Sequence, residues 1–121
     1  MAENPKKNIG DLGEDLAKQY LLKKGYKIIT QNIRWKRYEI DLIAQKDDWL
    51  VFVEVKTRKA GKEKPIIDSI NANKLNAMSI FADHYIKEIN WEGNIRFDAI
   101  LVEYSYLTAP RIEHIENLRI E

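Results

Sequence analysis

Two runs of strand-forming residues, Tyr38-Glu39-Ile40-Asp41-Leu42-Ile43-Ala44-Gln45-Lys46 and Trp49-Leu50-Val51-Phe52-Val53-Glu54-Val55-Lys56-Thr57, are divided only by Asp47-Asp48. A short polar break between runs rich in β-branched and aromatic residues predicts a tight hairpin and an antiparallel pair, with strands over 38–46 and 49–57. A turn centred on Asp47-Asp48 pairs residue i with residue 95 − i. Side chains alternate across a strand, so Glu39, Asp41 and Ile43 are expected on one face of the first strand and Phe52, Glu54 and Lys56 on one face of the second. The same register sets Asp41 opposite Glu54 and Glu39 opposite Lys56.

Directly opposed residues have Cβ atoms about 4.5–5.5 Å apart, and like charges there are destabilising. Two carboxylates about 5 Å apart repel by roughly 3 kcal/mol at an effective dielectric of about 20. A divalent cation converts that repulsion into coordination, because Mg²⁺ is held by one or two carboxylates together with water and phosphate oxygens. Lys56 would then bring an ammonium group beside the attacking water, to orient it or to offset charge that builds in a phosphoryl-transfer transition state. The alternative is a cross-strand salt-bridge cluster in which Lys56 neutralises both acids, an arrangement worth little stability at a surface.

The rest of the chain reads as a frame for this hairpin. A helix is expected over 8–24, with Asn8 or Asp11 as its N-cap and Gly25 at its C-terminal end; Leu12, Leu16, Ala17, Tyr20 and Leu21 form its apolar stripe. Glu14 falls at the margin of that stripe and looks toward the core. A strand over 26–35 precedes the hairpin, and residues 58–65 read as a loop. A second helix over 70–88, capped by Ser69 or Asn71, carries Leu75, Met78, Phe81, Ala82, Tyr85 and Ile86 on one side. After a turn at 90–94, strands are expected over 95–104 and 111–116. The order αβββαββ describes an α/β fold, a central mixed sheet flanked by two helices, in a single domain over residues 1–121. Gly10 and Gly13 are expected to permit close packing of helix on sheet.

The chain has 121 residues, 20 Lys plus Arg, 19 Asp plus Glu, two His and no Cys. The lack of Cys excludes disulfides, thiolate metal sites and cysteine nucleophiles, and fits a reducing compartment. Any metal must sit on oxygen or histidine. The N-terminal residues lack an apolar signal-peptide core, and no run approaches the roughly 20 apolar residues of a membrane-spanning helix, so a cytoplasmic location without membrane association is expected. His84 and His114 stand at no recognisable spacing from a nucleophile, and the glycines form no phosphate-cradling loop.

The ordered set Glu14, Asp41 and Glu54-Val55-Lys56 resembles the PD-(D/E)XK (restriction-endonuclease-like) superfamily, in the variant where the first helix donates an acid, as in archaeal Holliday-junction resolvases. Nearly the whole chain also resembles the bacterial YraN family, through Gly10-Asp11-Leu12-Gly13-Glu14, Ala17, Tyr20-Leu21, Gly25-Tyr26, Asn32, Glu39-Ile40-Asp41-Leu42-Ile43-Ala44, Phe52-Val53-Glu54-Val55-Lys56-Thr57-Arg58, Lys74 and Arg96-Phe97-Asp98. The resemblance implies a restriction-endonuclease-like fold and a Mg²⁺-dependent endonuclease, with Mn²⁺ able to substitute. It makes Asp41, Glu54 and Glu14 the metal acids and Lys56 the catalytic lysine, and it matches Lys74 to a basic position that shares a helix side with Met78 and Phe81. Ile40 stands where the superfamily's name expects Pro, and Tyr38 where YraN-like sequences usually have Gly. Asp98 has two readings, as a site residue or as a buried ion pair with a helix residue. Glu39 also has two, beside the metal or paired with Lys56.

Basic residues gather around this segment: Arg34, Lys36 and Arg37 before it, then Arg58, Lys59, Lys62 and Lys64. Residues 56–64 carry five cations and one acid. Such a cluster is a candidate clamp for a polyanionic backbone, without base specificity, and Lys74 is added to it through the resemblance. Trp35 and Tyr38 could stack on exposed bases or serve the core. The expected partner is DNA or structured nucleic acid, and the expected activity phosphodiester hydrolysis. The competing reading is a nucleic-acid-binding or adaptor domain that shares the fold without cutting. Trp49, Trp91 and Tyr106 would permit a homodimer.

Overall fold

The structure, a computed structural model, describes residues 9–61, 65 and 69–119. Elements follow in the order α1 (Ile9–Lys23), β1 (Lys27–Trp35), β2 (Tyr38–Lys46), β3 (Trp49–Lys59), α2 (Ala72–Glu88), β4 (Asn94–Tyr104) and β5 (Arg111–Ile115). The expected αβββαββ layout is the observed one. The strands form one sheet in the order β1-β2-β3-β4-β5, antiparallel except for the parallel β3–β4 pair that α2 connects. The sheet is therefore mixed, with one helix on each face.

Two apolar clusters fill the two interfaces. Ala17 and Leu21 of α1 pack on Leu42, Ala44, Val51, Val53, Val55, Ile100 and Val102. Met78, Phe81 and Ala82 of α2 pack on Ile40, Ile43, Leu50 and Phe52. Residues 50–55 of β3 are all buried because both faces of this central strand are covered. Leu12, expected in the α1 stripe, is instead 45% exposed, and Gly13 takes the buried place one residue on.

The ends of the elements follow local chemistry. Gly25 has φ +92°, a backbone that favours glycine, and the N–H of Tyr26 returns to the carbonyl of Leu21 to close α1. Asp11 lies in the first turn of α1 and is not its cap, while Asn8 lies outside the described residues. Asn71 caps α2, its side chain accepting the Lys74 N–H at 2.9 Å. Arg58 and Lys59, expected in a loop, continue β3 because they pair with Glu103 and Tyr104 of β4. Trp91 is partly buried against the α2-side cluster, whereas Trp49 and Tyr106 are exposed. Among the described residues no helix is long and apolar enough to cross a membrane.

Candidate functional site

The hairpin has the register the turn dictates. Leu42↔Val53 through Lys46↔Trp49 all pair as residue i with 95 − i, across a two-residue turn whose first residue, Asp47, has φ +55°. The ladder ends at Leu42↔Val53, one step short of Asp41 and Glu54. Beyond it the Val55 N–H donates to Oδ2 of Asp41 at 2.8 Å, so a carboxylate takes a bond that a strand backbone would have taken. Face alternation also slips there. Tyr38 and Ile40 pack with Ile43 on the α2 side, which corrects the expectation that Glu39, Asp41 and Ile43 share a face. The irregularity is shared with β1, where Asn32, between the pairs Gln31↔Leu42 and Ile33↔Ile40, has φ +50°. Glu39 does not meet Lys56; it pairs with Arg34, its strand neighbour, at 2.7 Å.

The third acid arrives from the other layer. Gly13 lies so close to β3 that a Cβ there would run into the Thr57 side chain, and this contact sets α1 down where its next residue, Glu14, approaches Asp41. The Asn32 side chain lies near enough to Glu14 to oppose the rise of its carboxyl pKa. That role for Asn32 was not readable beforehand; the available signal was an Asn, a residue that tolerates left-handed backbone, inside a β-branched run.

Two lysines complete the cluster. Lys56 Nζ lies 3.6 Å from Glu54 Oε1, and Lys74 Nζ lies 3.2 Å from Glu54 Oε2. Lys74 thus does reach back from α2, placed by the Asn71 cap. Glu54 itself is 4% exposed, and its Oε2, although ion-paired, accepts no well-directed hydrogen bond from a described residue.

Burial raises the carboxyl pKa values of Glu14, Asp41 and Glu54. The Asp41 charge pushes Glu14 and Glu54 up further, whereas Lys74 and Lys56 oppose the shifts of Asp41 and Glu54 without cancelling them, and the Val55 N–H does the same for Asp41. Buried Glu54 thus faces two ammonium groups, part-buried Asp41 feels both, and Glu14 adds a third carboxyl beside Asp41. Hard oxygen donors under mutual repulsion are the chemistry a Mg²⁺-type cation takes; Asp41 and Glu54 are the pair that could hold one, whereas the oxygens of Glu14, Asp41 and Glu54 do not all gather within 4.8 Å of one another.

The basic residues are less free than their sequence clustering suggests. Arg34 is committed to Glu39, and Arg58 donates to Oε2 of Glu103 through Nε at 3.1 Å and Nη2 at 2.9 Å. Lys36 lies over the Trp35 ring, Arg37 over Tyr38, and Lys59 over Tyr106. Lys62 and Lys64 lie outside the described residues.

Asp98 belongs to a separate network. It accepts from Arg96 Nε at 2.8 Å and Nη2 at 2.7 Å and from Asn117 N–H at 3.0 Å, and it shares a 2.7 Å hydrogen bond with His114 Nε2. Its ion-pair partner is on its own strand and not on a helix. Asp98, His114 and Glu116 bring ligand-type atoms together, but Arg96 Nη2 already bridges Asp98 and Glu116 and occupies the place a cation would take. Burial alone would raise the Asp98 pKa; bonds from His114, Arg96 and Asn117 outweigh it and hold the carboxyl below the ordinary range.

Fold and cluster define an α/β domain with an acid–lysine centre where two antiparallel strands part. Residues 13–102 match the uncharacterised protein family UPF0102, the YraN family, and the chain belongs to it. A UPF0102 protein of Clostridioides difficile is 43% identical over 112 residues, 92% of this chain and 96% of its own. UPF0102 proteins of Thermodesulfovibrio yellowstonii and Rhodococcus opacus are 41% and 36% identical, each covering 90% of this chain and 93% of the relative.

Proposed function

We propose that this protein is a metal-dependent endonuclease that hydrolyses phosphodiester bonds of DNA, with branched or structured DNA as the substrate class implied by its likeness to junction resolvases. The observation that carries the reading is the buried Glu54 carboxylate, which sits beside Asp41 and has the ammonium groups of Lys56 at 3.6 Å and Lys74 at 3.2 Å against its two oxygens. A salt-bridge cluster serving only stability would match its charges, but here Glu14, Asp41 and Glu54 outnumber the two lysines and all three acids are unfavourably charged.

Asp41 and Glu54 would hold the cation, with Glu14 of α1 adding negative charge beside Asp41. When bound, Mg²⁺ stabilises charge on a phosphoryl oxygen and favours ionisation of water. Lys56, one-third exposed and 3.6 Å from Glu54, orients the attacking water or meets charge on the phosphoryl oxygens. Lys74 offsets the acids from the α2 side and offers a contact to the DNA backbone.

Plasmid nicking with Mg²⁺ or Mn²⁺ tests the reading. Cleavage by the wild type should fall by about 100-fold or more in Glu54→Ala and Lys56→Ala, with DNA binding retained. Binding without cleavage of duplex, single-stranded, flap or junction substrates would instead identify a non-cutting nucleic-acid-binding domain.

A further inference from the structure

We infer that the tip of the β1–β2 hairpin is a stacking platform for an unpaired nucleobase, an inference that rests on the nuclease reading for its substrate and adds the structural class of that substrate. The Trp35 indole lies flat on the His84 imidazole, with centroids 3.8 Å apart and planes 6° from parallel, and Tyr38 follows at 6.0 Å and 24°. Trp35, Lys36, Arg37, Tyr38 and Ile80 line an adjoining cleft of about 410 Å³, within the range that holds small organic ligands. Lys36 Nζ lies 4.8 Å from the Trp35 centroid and Arg37 Cζ 5.1 Å from the Tyr38 centroid, while Arg37 Nη2 bonds the Tyr38 hydroxyl at 3.1 Å.

Each of these features serves the same occupant. Aromatic faces stack on any base, and Lys36 and Arg37, which cover the Trp35 and Tyr38 rings here, would swing off them onto the phosphates flanking a stacked base. Glu39, the acid next to Tyr38 at the hairpin tip, is engaged by Arg34, while Lys36 and Arg37 line the cleft. A base within a duplex already has both faces covered and cannot reach a side-chain ring. The platform therefore selects a flipped, bulged or single-stranded nucleotide, the kind that branched DNA supplies.

Its position suits that role. Tyr38 and Asp41 are three residues apart on β2, about 10 Å at the rise of a strand, or about three nucleotide steps of a DNA strand. Helix α2 also joins the two places, carrying Lys74 at the acids and Ile80 and His84 at the platform.

The test uses the full chain in EDTA, so that nothing is cut, and a DNA duplex with 2-aminopurine as its one unpaired nucleotide, against the fully paired duplex. Quenching of 2-aminopurine and about tenfold tighter binding of the unpaired form are expected. Tyr38→Ala should reduce that ratio. Ile80→Glu should do the same without touching the core, since Ile80 is 38% exposed. Equal affinity for the two duplexes without quenching, or a ratio that neither substitution moves, would overturn the platform; if the wild type still nicks DNA with Mn²⁺, the nuclease reading survives that result. Quenching and preference lost in both variants support the platform even if no substrate is cut, in which case the enzymatic reading alone falls. No DNA binding in any form overturns both.

Discussion

Asp41 must carry its charge where burial disfavours it, and one backbone N–H and two lysines support that charge without offsetting the burial. Glu54 is in the same position, and its raised carboxyl pKa has a consequence for stability. A group whose folded pKa lies above its unfolded value contributes most below the unfolded pKa, and that contribution is lost as pH rises through the folded pKa. Asp41→Asn, which keeps an acceptor for the Val55 N–H, should therefore raise stability at pH 7 by about 1 kcal/mol, several degrees in Tm. The gain should vanish on acidification below about pH 4, where the wild-type carboxyl is itself protonated. Thermal unfolding across pH checks this; an Asp41→Asn protein less stable than wild type at pH 7 would contradict it. The register that brings Asp41 toward Glu54 was legible because Asp47-Asp48 leaves room for only one turn. The slip at Asp41 was not, since it depends on the left-handed backbone of Asn32 and on a side chain that replaces a ladder bond. Likewise the Arg58–Glu103 pair was not legible, because Glu103 is 45 residues distant and adjacent only once β3 and β4 run parallel.

At the scale of elements, the site depends on how closely α1 lies on β3. Gly13 is a contact requirement: an added methyl would meet the Oγ1 and Cβ of Thr57. Gly13→Ala should cost about 1–3 kcal/mol, as overpacking does elsewhere, and should lower cleavage because Glu14 moves with the helix. Gly13→Ala/Thr57→Ala should recover part of both losses, a coupling that a double-mutant cycle reads directly. Full additivity of the two substitutions would show that this contact does not seat the helix. Periodicity located both helices and all five strands. It misassigned Leu12, because a residue that counts as apolar in the stripe gives way to a glycine where helix and strand nearly touch.

For the whole molecule, two charge networks respond to pH in opposite directions. The Asp98 carboxyl is held below its usual range, so it contributes stability above about pH 4 that is lost as pH falls through its folded pKa. Glu14, Asp41 and Glu54 lose theirs as pH rises. Metal-free stability should therefore peak in mildly acid solution and decline toward neutrality, and a divalent cation should restore it there by binding the ionised acids. Asp98→Ala should cost about 3 kcal/mol, because it takes the buried carboxylate from His114 and leaves Arg96 only Glu116 and the Tyr26 hydroxyl, at side chains just 8% and 16% exposed. Denaturant unfolding of Asp98→Ala, and of wild type at several pH values, measures both effects. His114 bonds Asp98 from 16 residues on, and Arg96 reaches the Tyr26 hydroxyl 70 residues back and Glu116 near the far end of the sheet, which explains why the sequence left the role of Asp98 open.

The most direct measurement is Mn²⁺ binding by the metal-free protein, followed by electron paramagnetic resonance of the free ion. Wild type should bind about one ion per chain, Asp41→Asn and Glu54→Gln should bind far more weakly, and Lys56→Ala should retain the site while losing cleavage. Absence of binding to wild type, or undiminished binding to Asp41→Asn and Glu54→Gln, would contradict the assignment of these acids.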